Sequence, residues 1–187
     1  AAASRGGKAG VGIIAVPAAI TAIVNMYNVQ ALLEDNEYVA GAVNKASGAV
    51  KQSSITIKHT FDDGSYATFL IVDNPTARLS QHDWANLVGV VAQGSTWQFK
   101  GWPFAKGEPE IFAKMVGFYM RFSDEIPNQK TKGWAVTNLV FSKEKTRKHE
   151  IGVMMTSFWD KVHKFLAMNK SHLLHKPSVD SKRPVFS

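Results

Sequence analysis

The sequence predicts an α/β fold of three layers, in which helices cover both faces of a mostly parallel sheet with one antiparallel edge. Apolar runs of strand length alternate with segments whose apolar residues recur every three or four positions, a pattern typical of a helix-covered sheet. Two of the strand-like runs flank one tight polar turn, as in a hairpin. The 187 residues, 45% hydrophobic and 20% charged, suit a single domain with its own core.

A strand followed by a helix opens the predicted fold. Residues 12–16 form a short apolar run typical of a buried strand, and Pro17 ends it. Apolar residues over 20–32 recur at helical spacing, so we expect a helix that ends near Asp35. Residues 1–11 are small, glycine-rich and polar, and we expect them to form a linker or flexible N-terminal segment.

A loop and a hairpin come next. Residues 40–52 show no period and are expected to form a mobile loop. Strands are predicted over residues 54–61 and 66–72, which flank the turn Asp62-Asp63-Gly64-Ser65. Asp73-Asn74-Pro75 then stops the second strand.

The middle of the chain predicts a short helix, a buried strand and a longer helix. A capping pattern at residues 80–83 begins the short helix, and residues 86–92 form the strand, which Gly94 closes. Glu108-Pro109-Glu110 is typical of a helix start. Apolar residues keep helical spacing from there to Phe122, so we expect the helix to continue that far.

The last part of the chain predicts a strand over residues 134–141 and an amphipathic helix over residues 151–166. We expect one domain over residues 12–174, followed by a flexible basic tail over residues 175–187.

The positive charge is concentrated toward the C-terminus. The net charge is +7, of which residues 143–187 carry +6 and residues 1–142 only +1. The densest cluster comprises Lys143, Lys145, Arg147 and Lys148, between the last predicted strand and the last helix. Ligands of open α/β sheets bind at the carboxyl ends of strands, so this cluster is a candidate site for an anionic partner. A solvated charged loop remains the alternative.

No catalytic arrangement is present in the sequence. The absence of cysteine excludes thiol catalysis, disulfides and cysteine-based zinc sites, and the six histidines do not form a zinc-binding motif. The connection over residues 16–21 contains no glycine and no lysine, so it cannot form a phosphate-binding P-loop. No run reaches the ~20 apolar residues that a membrane helix needs. We therefore expect no enzymatic activity, cofactor, metal or membrane partner.

Aromatic residues are densest over 97–104, where four of eight residues are Trp or Phe. We expect Trp97 and Phe99 to clamp this loop onto the core. Lys100 and Trp102 are alternatively placed to shape a peptide-binding groove.

Several of these segments recur together, in the same order, in one known family. They are residues 13–21, 27–29, 33–35, 72–75 and 83–84, the tryptophan-rich Gln93-Gly94-x-x-Trp97-Gln98-Phe99-Lys100-Gly101-Trp102-Pro103, and residues 109–114, 134–136, 148–149 and 170–173. Over residues 12–174 the chain therefore resembles the C-terminal Ras-like domain of the parafibromin (cell division cycle protein 73) family.

The resemblance implies a Ras-like sheet without a GTP site, in a nuclear subunit of the RNA polymerase II-associated factor complex. It also implies binding to the other subunits and to phosphorylated repeats of the polymerase or of an elongation factor, which helps to recruit the complex to chromatin. Family-type arginines are missing at Ala85-Asn86 and at 150–152. Arg121 and Lys100 therefore join the basic cluster as candidate anion contacts, and nucleic-acid binding by the basic surface is the alternative function.

Overall fold

The computed structural model describes residues 10–144 and 148–177. Within these residues the chain forms six strands and five helices. They are β1 (Val11–Ala15), α1 (Val29–Asp35), α2 (Gly41–Ala46), β2 (Ile55–Thr60), β3 (Tyr66–Val72), α3 (Pro75–Arg78), β4 (Leu87–Ala92), α4 (Glu108–Lys114), β5 (Val116–Phe122), β6 (Val136–Phe141) and α5 (Lys148–Asn169).

The six strands form one sheet in the order β2-β3-β1-β4-β5-β6. β2 pairs antiparallel with β3, with Ile57 opposite Phe69, and every other neighbouring pair is parallel. The predicted hairpin and the single antiparallel edge are therefore confirmed, and the architecture is the three-layer Ras-like one.

Helices cover both faces of the sheet, as the alternation of strand and helix patterns predicts. On one face, α1 and α5 bury Leu32, Phe158 and Leu166 against strand residues such as Phe69 and Phe118. On the other face, α4 and the tryptophan-rich loop form a second apolar cluster. The apolar stripe of α5 is thus buried by the sheet, which explains why this helix is the clearest in the sequence.

The predicted helix over residues 20–32 is wrong in its first part, because α1 begins only at Val29. Two buried asparagines organise the preceding segment into turns instead. The Asn25 side chain donates to the carbonyl oxygens of Ile20 and Ala22, and Asn28 donates to that of Ile23 at 2.8 Å. These side chains satisfy the backbone locally and so compete with a helix.

Residues 40–52 do not form only a loop, because α2 occupies six of them. Gly41 begins this helix against the side chain of Asn25, and a Cβ at Gly41 would overlap that side chain. The helix buries only Gly41 and exposes Val43, so no apolar period marks a core-facing side in the sequence.

The predicted helix over residues 108–122 is also wrong beyond Lys114. Met115 is extended, with φ −151° and ψ 169°, and the chain continues as β5 between β4 and β6. Gly117 permits this arrangement, because a Cβ there would lie 2.5 Å from Cδ1 of Phe112 and 2.7 Å from Cγ1 of Val136.

His175, in the segment expected to form the tail, pairs with the first residue of β3. The backbone N–H of His175 donates to the carbonyl of Tyr66 at 2.8 Å, and that of Tyr66 donates back at 2.9 Å. Residues 1–9 and 178–187, which hold most of the expected linker and tail, lie outside the described residues.

Candidate functional site

The carboxyl ends of β1, β3, β4, β5 and β6 lie at one edge of the sheet, since these strands are parallel. We call the segments that follow three of them, residues 93–100, 123–128 and 142–144, together with Lys148, the carboxyl edge. Ligands of open α/β sheets bind at this edge, and the candidate residues predicted from the sequence lie mostly on it.

The connection after β1, which binds the nucleotide phosphates in P-loop proteins, has a different sequence and surroundings in this chain. After β1, residues 16–28 contain no glycine and no lysine. A cavity of only about 220 Å³ lies at this end of β1, and its lining includes Pro17, Tyr119 and the carboxylate of Glu125. Ligand pockets usually measure about 300–1,000 Å³, and a carboxylate repels phosphate. This cavity therefore suits neither the size nor the charge of a nucleotide.

The loop after β4 exposes one tryptophan and buries its other large aromatic residues. Trp97 is 76% exposed, so the expectation that it packs into the core is wrong. Burial of Phe99 is confirmed, at 7% exposed. Trp102, which the sequence offered as part of a groove or of a structural loop, is only 9% exposed, with its ring centroid 5.0 Å from that of Phe99. Trp97 lies in the 3₁₀ turn Thr96–Phe99, whose single inward residue is Phe99.

Hydrogen bonds hold the exposed tryptophan in place. The Gln98 side chain accepts from the backbone N–H of Gln93 at 2.7 Å and donates to the carbonyl of Val91 at 2.9 Å. Ser95 caps the turn by accepting from the N–H of Trp97. Trp97 is therefore presented to solvent by a loop that is bound to the end of β4.

A second exposed apolar residue lies on the neighbouring loop. Asn128 donates from its side chain to the carbonyl of Gly94 at 2.7 Å, which joins the loops after β4 and β5. Ile126, two residues earlier, is 88% exposed. The sequence gives no signal for Ile126, because a single apolar residue in a polar loop has no periodic pattern around it.

The basic candidates at this edge have different roles. Lys143 is exposed, and its ammonium lies 2.9 Å from Oδ2 of Asp124, which lowers the pKa of Asp124 by hydrogen bonding. Lys148 is exposed at the first position of α5. Arg121 instead donates to the carbonyls of Phe122 and Glu125, at 3.3 and 3.1 Å, and so supports the loop after β5.

Of the three remaining basic candidates, the described residues include only Lys100. Lys145 and Arg147 lie outside the described residues. Lys100 is exposed, but Gly101 beside it lies next to Thr76, toward α3. In the part of the chain that the structure describes, no group of three or more His, Asp or Glu side chains could hold a metal ion. Among the same residues, no helix is long and apolar enough to span a bilayer.

These features define a Ras-like α/β domain without a P-loop, whose carboxyl edge carries an exposed tryptophan and lysines. The profile of the family described as "RNA pol II accessory factor, Cdc73 family, C-terminal" matches residues 8–165. The chain belongs to this Cdc73 family of RNA polymerase II accessory factors.

Individual relatives agree with this assignment. The "Protein CDC73 homolog" of Arabidopsis thaliana is 36% identical over 176 residues, which is 90% of this chain and 41% of the relative. The "Cell division cycle protein 73" of Caenorhabditis elegans is 27% identical over 161 residues, 86% of this chain and 30% of the relative. The chain thus spans less than half the length of these relatives. A solved structure entitled "The conserved domain of yeast Cdc73" superposes with a TM-score of 0.75 and 25% identity, over 84% of this chain and 97% of that one.

Proposed function

We propose that the chain is a non-catalytic protein-interaction domain whose carboxyl edge binds phosphorylated repeats of RNA polymerase II or of an elongation factor. Through this contact it helps to recruit the polymerase-associated factor complex, with its other subunits, to transcribed chromatin in the nucleus. The observation that carries the proposal is the exposure of Trp97 on a firmly held loop at the sheet edge that also bears exposed lysines.

An exposed tryptophan supplies most of the contact energy in this proposal. Tryptophan is enriched among the residues that dominate binding energy at protein interfaces. Because hydrogen bonds from Gln98 and Asn128 hold the loop that carries Trp97, its backbone loses little conformational entropy on binding. Trp97 is therefore placed to pack against an apolar or proline ring of a peptide.

Lysines supply the attraction for phosphate. Lys143 and Lys148 are exposed on either side of Lys145 and Arg147, so residues 143–148 carry a net charge of +3. α5 is 22 residues long, and its N-terminal end adds a favourable field for anions. Lys143 is already paired with the exposed Asp124, and such surface pairs exchange partners at little cost.

The test measures binding of polymerase repeat peptides, with and without phosphoserine, by fluorescence anisotropy. We expect Trp97→Ala to weaken binding of the phosphorylated peptide about tenfold or more. We expect Lys143→Glu with Lys148→Glu to remove most of the preference for the phosphorylated form.

A matched double variant controls for net charge. Lys45→Glu with Lys164→Glu changes the same amount of charge at exposed positions on α2 and far along α5. At 1.5 Å per residue, Lys164 lies roughly 24 Å from Lys148. Equal loss in both double variants, or unchanged binding in Trp97→Ala, would overturn the proposed site.

Duplex DNA of similar charge separates the proposal from nucleic-acid binding. A nucleic-acid-binding surface releases many counterions, so its affinity falls steeply with salt. The proposal requires that the phosphorylated peptide binds more tightly than DNA at physiological salt.

A further inference from the structure

A groove of about 790 Å³ lies at the opposite, amino edge of the sheet, beside the start of β4. Its walls include Trp84, Pro103, Phe104 and Met115, together with Lys114 and Lys170. The volume is within the usual range for ligand-binding pockets. None of the described residues that line this groove is acidic.

Lys170 is the unusual member of this lining. It follows α5 directly, and its ammonium donates to the carbonyl oxygens of Ala85 at 2.6 Å and Leu87 at 2.8 Å. Among residues 10–144 and 148–177, no carboxylate lies within 4.0 Å of it. Burial lowers the pKa of Lys170 below its usual value. The groove thus holds a half-buried cation whose charge no carboxylate of these residues neutralises.

Aromatic rings form the wall next to this cation. The ring of Trp84 lies edge-on to that of Phe104, with centroids 5.9 Å apart, and both are only partly buried. Trp84 also packs on the buried Trp102, at 5.4 Å, which fixes its position. At the rim, Lys114 lies over the ring of Phe104 and pairs with Glu110 at 2.7 Å.

The two backbone carbonyls explain how Lys170 joins the end of α5 to the start of β4. They carry only partial charges, and burial of an ammonium with no counter-ion is costly. A carboxylate entering the groove would neutralise the charge, and an apolar ring beside it would cover Trp84 and Phe104.

We propose that this amino-edge groove binds a peptide segment of a partner protein in which an acidic side chain stands next to an aromatic or proline residue. The acidic side chain pairs with Lys170 and the ring packs against the exposed parts of Trp84 and Phe104. This site is separate from the carboxyl edge, since Lys170 and Lys148 lie at the two ends of α5.

The experiment begins with an array of pentapeptides, Gly-X-Z-X-Gly, probed with the labelled full chain. X is Asp or Glu and Z is any apolar residue, while the matched array has Asn or Gln at X. We expect signal from acidic peptides with Phe, Tyr, Trp or Pro at Z and none from the amide array. The strongest peptide is then measured by calorimetry.

The decisive variants place either a positive or a negative charge at one exposed position on the rim of the groove. Gln81 lines the groove and is exposed, so neither change should disturb the fold. We expect Gln81→Lys to tighten binding and Gln81→Glu to weaken it, each by about two- to fivefold. Lys170→Gln should weaken binding at least about tenfold, because the peptide carboxylate then loses its cationic partner.

Two further readouts test whether the peptide occupies this groove. NMR of Lys170 should show its pKa rising when the peptide binds, because the carboxylate favours the charged ammonium. Trp97→Ala should leave this binding unchanged, whatever it does to binding of phosphorylated repeats.

Three results would overturn the proposal: no peptide binding, equal binding of the acidic and amide peptides, or the same affinity in both Gln81 variants. Displacement of the peptide by millimolar acetate or inorganic phosphate as readily as by free peptide would also overturn it, since the rings would then contribute nothing.

Discussion

Trp97 and Trp102 are five residues apart in one loop but lie in opposite environments. Trp102 touches Trp84, Phe99 and Phe104, whereas Trp97 extends into solvent. Trp97 lies in the 3₁₀ turn Thr96–Phe99, in which only Phe99 is buried, and composition alone does not indicate which aromatic residue is buried. Aromatic density therefore located the loop correctly but did not show that Trp97 is its exposed tryptophan.

The two tryptophans should differ sharply in their contribution to stability. We expect Trp102→Ala to lower the free energy of unfolding by about 3–5 kcal/mol, because it leaves a cavity among aromatic rings. Trp97→Ala should change it by less than about 0.5 kcal/mol, since that side chain is exposed. Urea unfolding followed by circular dichroism measures both, and a larger loss for Trp97→Ala would contradict the described loop.

His59 couples stability to pH. Its ring stacks on that of Trp159, with centroids 3.8 Å apart. Burial lowers the pKa of His59, Asp62 opposes this, and His163 lowers it further. Because the folded pKa is below the unfolded value of about 6.5, the native state favours the neutral ring. The stabilisation is complete above that value and is lost as pH falls through the folded pKa.

We therefore expect the free energy of unfolding to be lower at pH 5.5 than at pH 7.5. His59→Phe keeps a ring against Trp159 and cannot be protonated, so the difference between the two pH values should shrink. Thermal unfolding of both proteins in matched buffers tests this. An unchanged pH difference in His59→Phe would show that His59 does not contribute.

Among the elements, β5 shows where a helical period misleads. Phe118, Tyr119 and Phe122 continue the spacing of α4, yet all lie in a central strand. A strand covered on both faces is apolar throughout, so almost any period can be fitted to it. The available signal was Gly117, which disfavours a helix, within a segment rich in β-forming residues.

Gly117 is also where the packing of α4 on the sheet is tightest. We expect Gly117→Ala to destabilise the protein by about 1–3 kcal/mol, because its Cβ would meet both Phe112 and Val136. Gly133→Ala is the control, since a Cβ there meets no atom within 4 Å. Denaturant unfolding compares them, and equal stability of the two variants would contradict the close contact.

Strong local patterns predicted the other elements well. The hairpin, β4, β6 and α5 agree closely because each combines a clear apolar period with a stop signal. α1 was predicted too long and α2 was missed, because buried asparagines rather than apolar residues organise residues 20–47. Hydrogen bonds from asparagine side chains to backbone carbonyls leave no hydrophobic period in the sequence.

At the scale of the whole molecule, α5 joins two edges with different surfaces. It begins at the exposed Lys148, in the connection that follows β6, and its end leads to the groove at Lys170. The charge pattern and strand order correctly predicted that basic residues would follow β6. The groove at the amino edge could not be predicted, since it combines residues from four distant segments of the chain.

The pairing of His175 with Tyr66 also brings the two ends of the described fold together. Nε2 of His175 lies 3.4 Å from the carbonyl oxygen of Gly10. The first and last described residues of the fold are therefore close in space, so we expect the domain to tolerate circular permutation. Joining residue 187 to residue 1 and opening the chain after Gly48, which has open space around it, should give a protein with the same sheet. Retained cooperative melting of such a permutant would show that the packing does not depend on where the polypeptide starts.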